Sequence, residues 1–204
     1  MLSAPQIFKY MANLEDIITS KVRVKILDLF FSNLTEMYHV RGIVREIGEE
    51  INAVRRELER LERVGLLKKE PRGNRIYYFI RHDYSGFGDL LSYVSKSTGL
   101  GKSINDSRAK LGKLLFVMFS GKFARMKPRK KDEEVDILIV GEVVLPELAM
   151  IIRSFESKLG REINYTVMTR EELDYRKKRR DPFLQSIFLG SRVMIIGDEE
   201  ELVG

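Results

Sequence analysis

The 204-residue sequence contains no cysteine and only two histidines, His39 and His82. Without thiols there are no disulfides, no thiol catalysis and no cysteine-based zinc site. Two imidazoles far apart in sequence leave little for histidine-rich metal chemistry or for a serine triad. No apolar run approaches the roughly 20 residues that a membrane helix needs. The start of the chain, MLSAPQIFKYMANLEDI, lacks the basic opening and continuous apolar stretch of a secretory signal. The expectation is a soluble, cytoplasmic protein with no membrane partner.

What is present is an ordinary apolar fraction, 44%, and a net charge of +6. The length suits one large or two small domains, each able to bury a core. A basic balance favours anionic partners, of which nucleic acid is the commonest, without establishing one.

The first third reads as three helices and a hairpin. Ser20 is placed to cap a helix over about 20–31, with Val22, Ile26, Leu29 and Phe30 on one face. Asn33 and Thr35 mark a break. A short helix follows over about 40–47, with Ile43, Val44 and Ile47 inward and Gly48 at its end. The third helix, about 50–64, carries an apolar stripe of Ile51, Val54, Leu58 and Leu61. Its opposite face carries Asn52, Arg55, Arg56, Glu59 and Arg60, and Gly65 stops it. Residues 66–70 predict a strand, Pro71-Arg72-Gly73-Asn74 a turn, and residues 75–80 a second strand rich in aromatic and β-branched side chains.

This order, with NAVRRELERLERVGLLKKEPRGNRIYYFI at its centre, resembles the recognition helix and wing of the winged-helix repressors related to the arsenic-responsive family. The resemblance covers roughly residues 15–82. It rests on the paired arginines, the Leu-x-x-Leu-x-x-x-Gly-Leu-Leu helix ending and the basic Gly-Asn tip. It implies double-stranded DNA as the partner. The third helix would enter the major groove, where Asn52 suits adenine and Arg55 and Arg56 suit guanine. Arg72, Asn74 and Arg75 at the wing tip would meet phosphate or the minor groove. Arg41, at the start of the second helix, would hold a phosphate with free backbone N–H groups. The competing reading is a protein-interaction module with a solvated basic face.

Residues 83–99 read as a linker helix, about 88–97, broken at Ser97-Thr98-Gly99. A further helix is expected over about 103–114. TGLGKS at 98–103 ends like a phosphate loop, but the first glycine of that motif is replaced by Lys96, and no strand precedes it. An interhelical turn is expected instead.

The remainder alternates strands and helices: strands over 114–119, 134–140, 163–168 and 192–196, and helices over 145–159, 171–178 and 182–189. Gly121-Lys122-Phe123-Ala124-Arg125-Met126 follows the first strand, and Glu134-Val135-Asp136 opens the second. Over about 100–197 this resembles the minimal nucleotidyltransferase domain of the polymerase-β-like superfamily, in which a Gly-Ser turn precedes an acidic pair on a strand. The resemblance implies a nucleotide at Gly121, Lys122 and Arg125. It also implies Mg²⁺ at Glu134 and Asp136, two carboxylates expected on one side of a strand. The chain departs from the pattern at three places. Lys122 replaces the serine, Glu134 the first aspartate and Asn164 the third carboxylate. The Lys122 ammonium would either contact phosphate or take the metal position and pair with Glu134. These departures point away from catalysis. Two basic clusters complete the inventory, Lys127-Pro128-Arg129-Lys130-Lys131 and Arg176-Lys177-Lys178-Arg179-Arg180. They suit solvated loops, an extended DNA footprint or an anionic ligand.

The expected fold class is α+β: a winged helix-turn-helix over 1–82, a linker helix over 83–99 and a nucleotidyltransferase-like domain over 100–204. The expected function is sequence-specific transcription regulation, with a nucleotide or small molecule as effector. The alternatives are an active metal-dependent nucleotidyltransferase modifying a protein or RNA, and an antitoxin-like autoregulator. A homodimer is expected, through the segment around Ile7, Phe8 and Tyr10 or through Leu90 and Tyr93.

Overall fold

Ser20 accepts a hydrogen bond from the Arg23 N–H and starts helix α1 (Lys21–Ser32). The buried stripe is wider than the spacing of apolar residues predicts: Val24, Ile26, Leu27, Phe30 and Phe31 are buried, while Val22 and Leu29 are half-buried. This is a computed structural model, and it describes residues 18–129, 131 and 134–204. The expected dimer contacts at Ile7, Phe8 and Tyr10 lie outside the described residues. The chain is a mixed α+β protein of two compact units, which divide between Phe87 and Gly88.

In the first unit, α1 is followed by β1 (Tyr38–His39), α2 (Val40–Ile47), α3 (Ile51–Arg63), β2 (Leu67–Arg72) and β3 (Arg75–Ile80). The three strands form one antiparallel sheet in the order β1-β3-β2. Val54 and Leu58 of α3 are fully buried and Leu61 nearly so. At about 1.5–3 kcal/mol per buried side chain, packing outweighs the tenths of a kcal/mol that propensity supplies, so α3 is held by its inner face. The hairpin is tighter than its composition suggests. Pro71 and Arg72 lie in β2, and Arg72 pairs with Arg75, leaving a two-residue turn at Gly73-Asn74. Gly73 sits there at φ 59°, backbone that other residues resist. Strand β1 has no sequence signal. It is fixed by Tyr38, whose ring meets Phe30 edge-on at 5.5 Å.

Helix α4 (Phe87–Ser97), the segment expected as a linker helix, lies in the second unit but for its first residue. Leu91 and Val94 are buried, and Leu90 and Tyr93 half-buried. Helix α5 (Gly99–Asp106) begins and ends earlier than the expected 103–114, so Gly99 to Ser103 form its first turns and not an interhelical turn. Strands β4 (Gly112–Ser120), β5 (Ile137–Val143), β6 (Tyr165–Met168) and β7 (Arg192–Ile196) form a sheet in the order β6-β5-β4-β7. Pairs β4–β5 and β4–β7 are antiparallel and β5–β6 is parallel, with α7 (Leu145–Leu159) as the crossover. The other helices are α6 (Gly121–Ala124), α8 (Arg170–Lys178), α9 (Pro182–Leu189) and α10 (Glu199–Val203).

Both faces of this sheet are covered, which explains why its central strands read as continuous apolar runs. Phe116, Met118, Leu138, Val140, Met168 and Met194 pack with Leu173 of α8, Leu184 of α9 and Leu202 of α10. Side chains alternate along a strand, so Ile195 faces the other way, toward Gly101 of α5, and α5 in turn packs on α7. No helix among the described residues is long and apolar enough to cross a membrane.

Candidate functional site

Helix α3 turns its polar side to solvent. Asn52, Arg55, Arg56, Glu59 and Arg60 are all exposed, as the periodicity predicts. Neither Arg55 nor Arg56 makes an ion pair with a described residue. By contrast, Arg23 pairs with Glu57 at 2.8 Å, Lys25 with Glu49 at 2.6 Å and Arg81 with Asp83 at 2.7 Å. The sequence reading missed Glu50. Its carboxylate caps α3, accepting from the Asn52 and Ala53 N–H groups at 2.8 Å each, and these bonds hold its pKa below the usual carboxylate range. The sequence carries a weak signal for this, a glutamate directly after the helix-ending Gly48-Glu49.

His39 was also missed. Its Nδ1 accepts from the Gly42 N–H at 2.9 Å and caps α2. That backbone donor is therefore taken, and the phosphate site expected at the start of α2 has fewer free N–H groups than supposed. Arg41 remains exposed beside it. The same imidazole links the hairpin to α2: its Nε2 lies 3.3 Å from Arg75 Nη1, and its ring meets Tyr77 edge-on. Arg72 and Asn74 are exposed, with Arg72 on Glu70 at 2.9 Å and over the Tyr77 ring. The structure thus joins Arg75 to the start of α2, and sets Asn52, Arg55 and Arg56 together on α3.

The second candidate is a cleft of about 450 Å³ in the second unit, lined among others by Ser120, Lys122, Arg129, Glu134, Asp136 and Ser191. Ser120 ends β4 and caps α6, accepting from the Phe123 N–H at 3.2 Å. Gly121 follows where no side chain fits, since a Cβ there would lie 2.0 Å from Ser191 Oγ. Its N–H donates to the Ser191 carbonyl at 2.6 Å. Arg125 folds back onto the Gly121 carbonyl and Ser191 Oγ at 3.2 and 3.3 Å. Gly121 and Arg125 are therefore tied into the fold, and Lys122 alone of the three expected nucleotide contacts projects into the cleft's polar network.

Glu134 and Asp136 do not lie on a strand. Both precede β5, and they differ in environment: the Glu134 side chain is 31% exposed, that of Asp136 1%. Lys122 Nζ sits on both Glu134 oxygens, at 2.6 and 2.7 Å. Asp136 Oδ2 accepts from Arg129 Nη1 at 2.7 Å and from the Asn164 N–H at 3.1 Å, and lies 3.6 Å from Arg161 Nη1. Asn164 acts as a clasp, its Nδ2 donating to the Glu134 carbonyl at 3.1 Å. Arg129 and Arg161 were not expected here. Arg129 comes from the basic cluster at 127–131, and Arg161, just past the end of α7, reaches both the Phe123 ring and Asp136.

These donors do not fit a divalent metal. Mg²⁺ needs near-octahedral oxygen ligation by groups free to turn toward it. Here each carboxylate is already bound to side-chain cations of the chain itself. Among the described residues no three His, Asp or Glu side chains gather as a ligand set. The arrangement is a cleft whose two carboxylates are neutralised by its own lysine and arginine side chains, with room for a small molecule. Comparison of the chain with known protein families, curated proteins and solved structures finds no match.

Proposed function

We propose that the chain is a sequence-specific, double-stranded-DNA-binding transcription regulator. In this reading the first unit is a winged helix-turn-helix. Three helices, a β-hairpin and a short strand completing the sheet are the parts such a module requires, in the order it requires them. The carrying observation is the outer face of α3, where Asn52, Arg55 and Arg56 stand exposed and no described acid pairs with either arginine. Amide and guanidinium groups held on a rigid helix, with free donors, are what base edges in a major groove accept. Arg41, Arg72, Asn74 and Arg75 supply backbone contacts that fix register.

The second unit is a nucleotidyltransferase-like domain that does not transfer nucleotides. Lys122, Arg129 and Arg161 neutralise the carboxylates that metal-dependent chemistry would use. Its cleft serves a nucleotide or small-molecule effector, or assembly. The regulator acts as a homodimer on a two-fold symmetric site, with Leu90 and Tyr93 of α4 as contacts.

The test is selection of fragmented genomic DNA by the purified protein at two salt concentrations. Enrichment of a defined site at the higher salt supports the reading. Uniform retention that collapses with salt reflects backbone electrostatics alone and retires it.

A further inference from the structure

The basic run at 176–180 takes no part in either site above. It occupies the end of α8 and the turn into α9. The helix end does not need these side chains as caps. Backbone N–H groups of Arg179, Asp181 and Arg180 already donate to the carbonyls of Tyr175, Arg176 and Lys177. Nor is the run neutralised. Arg176 is shared between Glu172 at 2.8 Å and Asp181 at 3.4 Å, but Lys177, Lys178, Arg179 and Arg180 make no ion pair with a described residue. Four adjacent cations repel one another, and a partner that brings negative charge relieves that repulsion. Arg180 also holds φ 51°, a conformation in which glycine would be unstrained.

Two aromatic rings stand among these charges. Tyr175 is 57% exposed, with the Arg179 guanidinium 5.3 Å from its centroid. Phe183 is 36% exposed, with Arg176 at 5.8 Å. Arg176, Lys177 and Arg180 also line a cavity of about 220 Å³, together with Asp181, Leu184 and Phe188. A duplex offers backbone charge but no base face to an open ring. An acidic peptide offers charge without a row of planar groups. Single-stranded nucleic acid offers both phosphates and unstacked bases.

We propose that the end of α8 and the start of α9 form a binding surface for single-stranded nucleic acid. Lys177, Lys178 and Arg180 take phosphates, and Tyr175 stacks on a base. The surface is independent of the DNA reading of α3.

The test uses the full chain and a labelled, mixed-sequence single-stranded oligonucleotide, titrated at several salt concentrations. The triple variant Lys177→Gln, Lys178→Gln, Arg180→Asn should weaken binding and flatten the slope of log K against log salt by about 2, at about 0.7 per lost phosphate contact. Tyr175→Leu should weaken it about tenfold, the loss of one stacked base. Lys177→Arg with Lys178→Arg should bind like wild type, which ties any loss to charge and not to misfolding. The same effects should persist when Arg55 and Arg56 are both alanine, whatever those two residues do to duplex recognition. A slope unchanged by the triple variant overturns the proposal, and so does single-strand affinity indifferent to Tyr175→Leu.

Discussion

The Lys122 ammonium rests on both carboxylate oxygens of Glu134, at 2.6 and 2.7 Å. A cation of the chain thus stands against the group that a metal would need. The pair is part-exposed, 42% and 31% for the two side chains. Its worth to stability is therefore small, under about 1 kcal/mol, because solvent screens it. Lys122→Met should shift the denaturant midpoint little. Added Mg²⁺ or Mn²⁺ should leave the wild-type melting temperature unchanged, since a ligand stabilises only what it binds. A concentration-dependent rise with either ion in the wild type would contradict this account of the cleft.

Asp136 is a different case. Its carboxylate is buried, and Oδ2 meets Arg129, the Asn164 N–H and Arg161. Removing one member of a buried charge pair leaves the partner uncompensated, typically at 3–5 kcal/mol. Arg129 and Arg161 are 19% and 27% exposed, so water offsets part of that. Asp136→Asn should cost about 2–4 kcal/mol in urea unfolding. A carboxylate kept only to bind a metal, with no stabilising ion pair in the metal-free protein, would lose little on neutralisation. An unfolding curve matching wild type would favour that role.

Much of this architecture was legible because apolar spacing and end signals agreed. Val40 to Ile47, Leu145 to Leu159 and Pro182 to Leu189 have helical spacing bounded by Gly48, Pro146 with Gly160, and Pro182 with Gly190, and their limits match the sequence reading. Strand β3 matches for a related reason, a β-branched and aromatic run that starts straight after the Gly73-Asn74 turn. What escaped was set by partners distant in sequence. Strand β1 has two residues, too few for any period, and exists through pairing with Tyr77 and Tyr78. The β5 boundary moved because Glu134 and Asp136 bond to Lys122, Arg129 and Asn164 before the ladder begins. No local pattern encodes that Arg161 returns to Asp136. In the cleft, residue types were legible in advance, and spatial pairing decided their roles.

Glu57 offers a test of pH dependence in the first unit. Burial pushes its pKa up, but hydrogen bonds from Arg23 and Ser20 more than offset this and leave it below the usual 4.5. The bonds are Arg23 Nε and Ser20 Oγ, at 2.8 Å each. A folded-state pKa below the unfolded one means that the contribution is fully present above the unfolded value. It is lost as pH falls through the folded value. Glu57→Gln should therefore destabilise the protein at pH 7 by about 1 kcal/mol, a charged hydrogen bond discounted for screening. The gap between variant and wild type should narrow below pH ~4.5. Chemical denaturation across pH 3–7 reads it directly, and a gap constant across that range would remove Glu57 as the titrating group.

Under the DNA-binding proposal, base reading and phosphate binding by α3 can be told apart. Arg55 and Arg56 project from a helix whose inner residues Val54 and Leu58 are fully buried, so the helix should tolerate their loss without unfolding. A bidentate arginine–guanine pair discriminates by about 1–3 kcal/mol. If both arginines read bases, Arg55→Ala and Arg56→Ala should each lower affinity for a selected site by that amount. Affinity for unrelated duplex should then change far less. Phosphate contacts would behave otherwise: binding to every sequence would fall together, and the slope of log K against log salt would drop by about 0.9 for each residue removed. Asn52→Ala adds a control, because a neutral amide contributes nothing to that slope. Loss of discrimination at Asn52 with an unchanged slope would place α3 against base edges, whereas two arginine variants changed only in slope, with Asn52→Ala like wild type, would confine it to the backbone.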